Sequence, residues 1–197
     1  MNNLIKTALF FIIPFLANNI ACCQTTFIQA AQEGDANAQY KLGLMYTQDR
    51  KYEKNITKAL YWYKKAAAQN QKEAAFALGE LYYHGIEVPQ NLHLAYTYFN
   101  QADTLGVFEA SYCLGEMYEK GLGTNKNLKQ SFTYYKKAAD KGNLAKAMFK
   151  TGTMLYEGTG CEKDIAQGIN YIKLAFNEGY PTALEYWNKE KLWQYED

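Results

Sequence analysis

Apolar residues along this chain recur at helical rather than alternating spacing. Ala38, Leu42, Met45 and Tyr46 fall on one face of a helix, and Ala74, Leu78, Leu81 and Tyr82 repeat the pattern. After a polar break comes a second series, Ala59, Trp62, Tyr63 and Ala66, matched by Ala95, Tyr98, Phe99 and Ala102. The spacing predicts first helices over 36–48, 72–84, 108–120 and 144–157. Each is followed by a second helix that starts after Asn55, Asn91, Asn127 or Asp164. These four residues suit an N-cap, because a short side-chain oxygen can accept a free backbone N–H of the first turn. Gly34, Gly106, Gly142 and Gly179, with Asn70 in the same slot, follow the second helices and are expected to stop them in a left-handed conformation. Trp62, Tyr98, Tyr134 and Tyr171 are expected in the core.

The pattern is periodic. The glycines of the Leu-Gly steps and their counterpart, Gly43, Gly79, Gly115 and Gly152, are spaced by 36, 36 and 37 residues. The capping residues have the same spacing, and the alanine series Ala30, Ala66, Ala102, Ala138 and Ala175 is spaced by 36, 36, 36 and 37. The extra residue therefore enters between Ala138 and Gly152, in "GNLAKA". Glycine in mid-helix costs about 1 kcal/mol relative to alanine. A cost repeated in every period implies a repeated gain, and close approach of the paired helix is the expected one. Ala59, Ala95, Ser131 and Gly168 are the small residues expected to face these glycines.

The phrase "KKAA-x-x-(G/N)-x-x-x-A-x-x-x-LG-x-(L/M)-Y-x-x-G", clearest at Lys64–Gly85 and Ala102–Gly121, resembles the Sel-1-like repeat, a relative of the tetratricopeptide repeat. The resemblance covers roughly residues 27–190, with departures at Asp49, Thr151 and Leu155. It implies an all-α fold, an α/α right-handed superhelical solenoid of about four helix-pair repeats with a C-terminal capping helix. The repeats are expected at about 35–70, 71–106, 107–142 and 143–179, after a partial helix at 24–34 and before a cap and tail at 180–197. Pro181 fits the first turn of that cap, where its missing N–H does no harm. A cysteine-rich secreted branch of the family includes weak penicillin-binding or β-lactamase proteins. This chain lacks that branch's paired cysteines, and neither Ser111 nor Ser131 has the lysine three residues on that a Ser-x-x-Lys nucleophile needs.

The ends and the composition narrow the class. "MNNLIKTALFFIIPFLANNIACCQ" has a short positive start and an apolar core, the pattern of a secretory signal peptide over residues 1–23. Cleavage is expected after Ala21 or Cys23. A lipoprotein-type signal with a lipid on Cys22 or Cys23, anchoring the chain to a membrane, is the alternative, although Asn19 stands where such signals carry an aliphatic residue. Lys+Arg is 21 against Asp+Glu 20, which leaves no basic footprint for nucleic acid. His84 and His93 are the only histidines and there is no Cys-x-x-Cys, so neither a metal site nor a cofactor is expected. No catalytic set is evident either, and the chain is expected not to be an enzyme.

The expected function is protein–protein interaction by a secreted, periplasmic or envelope-associated monomer. The alternatives are a weak hydrolase and a structural homo-oligomer. In tetratricopeptide arrays the first helix of each pair lines a concave groove. Carried over on the Leu-Gly-x-x-Tyr positions, the resemblance places Tyr40, Phe76, Tyr112 and Phe149 there, with Glu80, Glu116, Tyr83 and Tyr156 beside them. An aromatic ladder with a carboxylate fringe would favour a peptide carrying some Lys or Arg. The competing expectation is that the ladder belongs to the core.

Overall fold

The structure is a computed structural model that describes residues 27–48 and 55–195. The segment expected to be a signal peptide, with Cys22 and Cys23, and Asp49 lie outside them. Residues 27–33 are helical (α1). They are followed by α2 (Ala36–Gln48), α3 (Ile56–Ala68), α4 (Lys72–His84), α5 (Leu92–Thr104), α6 (Phe108–Lys120), α7 (Leu128–Gly142), α8 (Ala145–Glu157), α9 (Ile165–Asn177) and α10 (Pro181–Lys189). A 3-10 turn at Leu192–Tyr195 closes the described chain. The fold is all-α and repetitive, and the first helices of the first three pairs have the bounds the spacing predicts. The chain forms two compact units, Met1–Ala74 and Ala75–Asp197.

Each second helix starts on its expected cap. The side-chain oxygens of Asn55, Asn91, Asn127 and Asp164 accept the backbone N–H of Lys58, Leu94, Gln130 and Gln167 at 2.9–3.0 Å. The backbone N–H of each cap reaches back to the preceding helix, to the carbonyls of Tyr46, Tyr82, Tyr118 and Leu155. Each cap thus fixes both the start of one helix and the loop from its partner.

The stops follow the expectation at Gly34, Asn70, Gly106 and Gly179, all at positive φ. The third differs. Helix α7 has 15 residues where α5 has 13, Gly142 is its last helical residue, and Asn143 takes the left-handed cap. Here the extra residue of the last period is absorbed. Gly142 is small for another reason, since a Cβ there would lie 2.4 Å from Cβ of Phe108.

The mid-helix glycines of the first three pairs have a ring as their nearest neighbour. A Cβ on Gly43, Gly79 or Gly115 would sit 2.5–2.6 Å from the ring of Tyr63, Phe99 or Tyr135. In the fourth pair the expected small residues, Gly152 and Gly168, lie directly against each other. There Gly152 meets Ile172 and the carbonyl of Gly168, with a Cβ on Gly152 only 2.8 Å from that oxygen. Ser131 still has a part in the third pair, donating its hydroxyl to the Gly115 carbonyl at 2.8 Å. The core register is accordingly one residue on from the expected one. Tyr63, Phe99, Tyr135 and Ile172 are buried, while Trp62, Tyr98, Tyr134 and Tyr171 are half-buried on the flank. Successive helical residues point about 100° apart, so only one of each neighbouring pair can enter the space its glycine leaves.

In Met1–Ala74 one core cluster joins Ala31, Ala38 and Leu42, with Phe27, Met45 and Trp62 packed against it, and Ala59, Tyr63 and Ala66 are buried as well. In Ala75–Asp197 the C-terminal core joins Ala138, Met148, Ile172, Ala183, Trp187 and Leu192, so α10 closes the last pair. Among the described residues, Thr151 carries a buried hydroxyl with no hydrogen-bond partner. It stands where the other repeats have Leu42, Leu78 and Leu114. An unsatisfied buried hydroxyl costs about 1–3 kcal/mol. Thr151→Val keeps the shape and removes the orphan, and is expected to raise stability by about 1 kcal/mol in urea unfolding.

Candidate functional site

The expected groove residues of Ala75–Asp197 lie on α4, α6 and α8 at i, i+4 and i+7. On α4 these are Phe76, Glu80 and Tyr83, and on α6 Tyr112 and Glu116, with Glu119 one turn further along the same face. The ladder is neither wholly core nor wholly surface. Phe76 and Tyr83 pack against the buried ring of Phe99 at 5.7 and 6.0 Å, and Tyr112 against Tyr135 at 5.3 Å, yet all three remain half-exposed. Tyr156 is half-exposed as well. Phe149 is different, at 9% exposure beneath Tyr180 and Tyr186, whose rings lie 5.7 and 5.5 Å away. The turn into α10 and α10 itself cover it, so it offers no free ring. In the other unit Tyr40 is half-buried, 5.9 Å from Tyr63.

The carboxylate fringe is more nearly balanced than expected. Lys120 Nζ lies 3.2 Å from Glu116, and Lys150 Nζ 3.0 Å from Glu119, which also accepts the Tyr135 hydroxyl at 2.6 Å. Lys146 Nζ sits 4.1 Å over the Tyr112 ring. Sequence reading missed these three lysines. The i, i+4 spacing of Glu116 and Lys120 was a signal that could have found one of them. Lys146 and Lys150 required knowing how α8 is rotated.

Electrostatics describe this face further. Glu80 is exposed, yet partial desolvation pushes its carboxyl up, with His84 and Lys146 pulling the other way. Burial, and then the neighbouring Glu116, push the Tyr83 and Tyr112 hydroxyls above the usual phenol range. Burial also pushes Glu119 up, but the Tyr135 hydroxyl and Lys150 outweigh it and hold the carboxyl below its ordinary value.

Cys113 and Cys161 are free thiols. Burial pushes Cys113 to about 12, with Lys146 opposing and Glu116, Glu80 and Glu109 reinforcing. The thiolate is the reactive form. At pH 8 the native protein is expected to alkylate at Cys161 much faster than at Cys113, with Cys113 catching up in denaturant; peptide mapping by mass spectrometry reads both. Among the described residues no cluster of His, Cys, Asp or Glu is placed to hold a metal ion, and no helix is long and apolar enough to cross a membrane.

The family model of the Sel1 repeat matches residues 36–71, 72–106, 109–143 and 145–180, most of the chain. The chain belongs to the Sel1 repeat family. Sel1 repeat proteins generally mediate protein–protein interaction, and the family is typically a non-enzymatic scaffold. Among solved structures, a protective antigen present in uropathogenic Escherichia coli strains, displaying an SLR fold, matches with a TM-score of 0.79 and 28% identity, over 85% of this chain and 36% of its own. A Sel1 repeat protein from Oxalobacter formigenes matches with a TM-score of 0.75 and 27% identity, over 83% of this chain and 47% of its own. This Sel1 chain thus spans between a third and a half of those two proteins. Helicobacter pylori cysteine-rich protein B, at 24% identity and a TM-score of 0.52, over 71% of this chain and 98% of its own, shares the fold. A comparison with curated protein sequences returns no significant match.

Proposed function

We propose that this Sel1 repeat protein is a secreted or envelope-associated adaptor that holds a segment of another protein against the first-helix face of α4 and α6. The observation that carries the reading is the set of rings Phe76, Tyr83 and Tyr112, seated on the buried Phe99 and Tyr135 yet still partly accessible, beside exposed Glu80. Aromatic edges supply contact area, and Glu80 supplies a carboxylate for a lysine or arginine of the partner. Lys146 over Tyr112 indicates that a cation is welcome on that ring. The groove is shorter than the four-rung ladder, since Phe149 is covered.

The test is capture of a partner from envelope or host extracts by the wild type and by Glu80→Lys/Tyr83→Ala. Loss of capture with an unchanged melting temperature supports this face as the site. Undiminished capture sinks it. Secretion is tested separately, by mass spectrometry of the mature N-terminus, where an intact residue 1 in the native host counts against export and a lipid on Cys22 or Cys23 identifies the anchored form.

A further inference from the structure

Lys146 breaks a pattern that the two preceding repeats keep. The repeat step carries it back to Glu109 in the first turn of α6 and Glu73 in the first turn of α4. A carboxylate suits that place, because the free N–H groups of a helix start carry partial positive charge, and an ammonium there is unfavourable. Helix α8 has no acidic residue in its first turn, and Lys146 is its second residue. Among the described residues no carboxylate forms an ion pair with Lys146 to offset this. What it has is the face of the Tyr112 ring, with Nζ 4.1 Å from the centroid. A cation held by a ring and opposed by its own helix is loosely held.

The surroundings are acidic. Glu80, Glu109 and Glu116 all act on the Cys113 thiol together with Lys146, which gathers the four charges around one point. Lys120 answers Glu116 at 3.2 Å. Glu80 and Glu109 remain, both exposed, and Lys146 stands against the two of them. His84 is the other group whose charge reaches Glu80. The face therefore has carboxylate to spare for a further cation, beside a ring on which a cation already sits.

We infer that Lys146 holds the place of an arginine of the partner protein, which takes the Tyr112 face and the Glu80 carboxylate and sends Lys146 out into water. The inference rests on the adaptor reading of this face and adds which side chain the partner brings. Arginine is favoured over lysine because a planar guanidinium stacks flat on a ring and pairs with a carboxylate through two N–H groups at its edge. It is also more weakly hydrated than an ammonium, so it gives up less on leaving water. Lys146 gives way readily, since it breaks no ion pair and its outward swing relieves the conflict with its own helix. It is a built-in competitor: a segment without a cation leaves it in place.

The test is amide NMR of the full mature chain with a blocked pentapeptide, one arginine between two pairs of glycines, as probe. Two further probes carry citrulline, which keeps the shape without the charge, or glutamate in place of the arginine. With the arginine peptide, shifts are expected along α4 and α6 around Glu80 and Tyr112 and at Lys146, and the other two peptides are expected to give none. Lys146→Ala is expected to bind the arginine peptide about two- to fivefold more tightly, the factor that one exposed cation–π contact sets. Lys146→Glu restores the acidic first turn, is expected to melt no lower than the wild type, and is expected to bind at least as tightly as Lys146→Ala. It keeps the inference testable should the alanine variant fail to fold. Binding by the folded variants that is unchanged or weaker overturns the inference and leaves the adaptor reading standing. A glutamate peptide that binds the wild type and is lost from Lys146→Ala also overturns it, by making Lys146 itself a ligand for the partner. Absence of shifts on this face with the arginine peptide in all three proteins overturns it too, while capture by Glu80→Lys/Tyr83→Ala judges the adaptor reading on its own.

Discussion

Tyr135→Ala is expected to be the most damaging truncation in the chain, costing about 3–5 kcal/mol, the range for emptying a buried aromatic site. The ring is fully buried, held by Gly115 on one side and tied through its hydroxyl to Glu119 and thence to Lys150. Against a total stability of about 5–15 kcal/mol, that loss brings the protein close to unfolding. The glycine makes the argument testable in more than one way. A Cβ on Gly115 would lie 2.6 Å from Cδ1 and 3.0 Å from Cγ of a ring that has nowhere to go. Gly115→Ala therefore costs about 1–3 kcal/mol in overpacking, offset in part by about 1 kcal/mol of helix propensity. Without the ring, only the favourable propensity remains. A double-mutant cycle by urea unfolding is expected to give a coupling of about 2 kcal/mol, with Gly115→Ala destabilising the wild type and stabilising Tyr135→Ala. Additive effects would mean that the glycine does not exist to admit the ring. Tyr135→Phe keeps the ring and loses only the bond to Glu119, so it should fall well short of the alanine variant.

That glycine and ring mark the boundary of what sequence alone can give. Helix positions were legible because caps are chemical: Asn55, Asn91, Asn127 and Asp164 each accept the N–H three residues on, and the stops need glycine or asparagine for positive φ. Rotation was less legible. Trp62 and Tyr63 are both large and aromatic, and periodicity cannot tell neighbours apart when either could be the buried one; the glycine opposite makes the choice. The site follows the same division. Phe76, Glu80 and Tyr83 share one face of α4, and Tyr112 and Glu116 one face of α6, because their spacing is helical. Phe149 has that spacing too, but is covered by Tyr180 and Tyr186, which come from beyond its own repeat. Lys146 and Lys150 reach Tyr112 and Glu119 from α8, a tertiary fact without a local signature.

The second large effect is expected at Asp103, at 7% exposure between α5 and α6. It accepts the hydroxyl of fully buried Ser111, and Lys137 Nζ lies 2.7 Å from the same carboxylate. Removing the carboxylate leaves the buried Ser111 hydroxyl without its acceptor and the partly exposed Lys137 without its ion pair. Asp103→Ala is therefore expected to cost about 3 kcal/mol, the low end for a broken buried ion pair because Lys137 is partly exposed. The next junction supplies the control: its equivalent positions hold Ala139 and Met148, both buried and apolar. Asp103→Ala/Ser111→Met copies that solution, leaving no orphan hydroxyl and freeing Lys137 to reach water. The double variant is expected to be more stable than Asp103→Ala alone and within about 1–2 kcal/mol of the wild type, the pattern seen when buried polar networks give way to well-packed apolar groups. Melting curves of the three proteins decide it. If the double variant is no better than the single one, the carboxylate contributes through more than its two partners. If it matches the wild type, the polar triad adds little net stability, and what it contributes is discrimination: a junction that only one pair of repeat surfaces can satisfy.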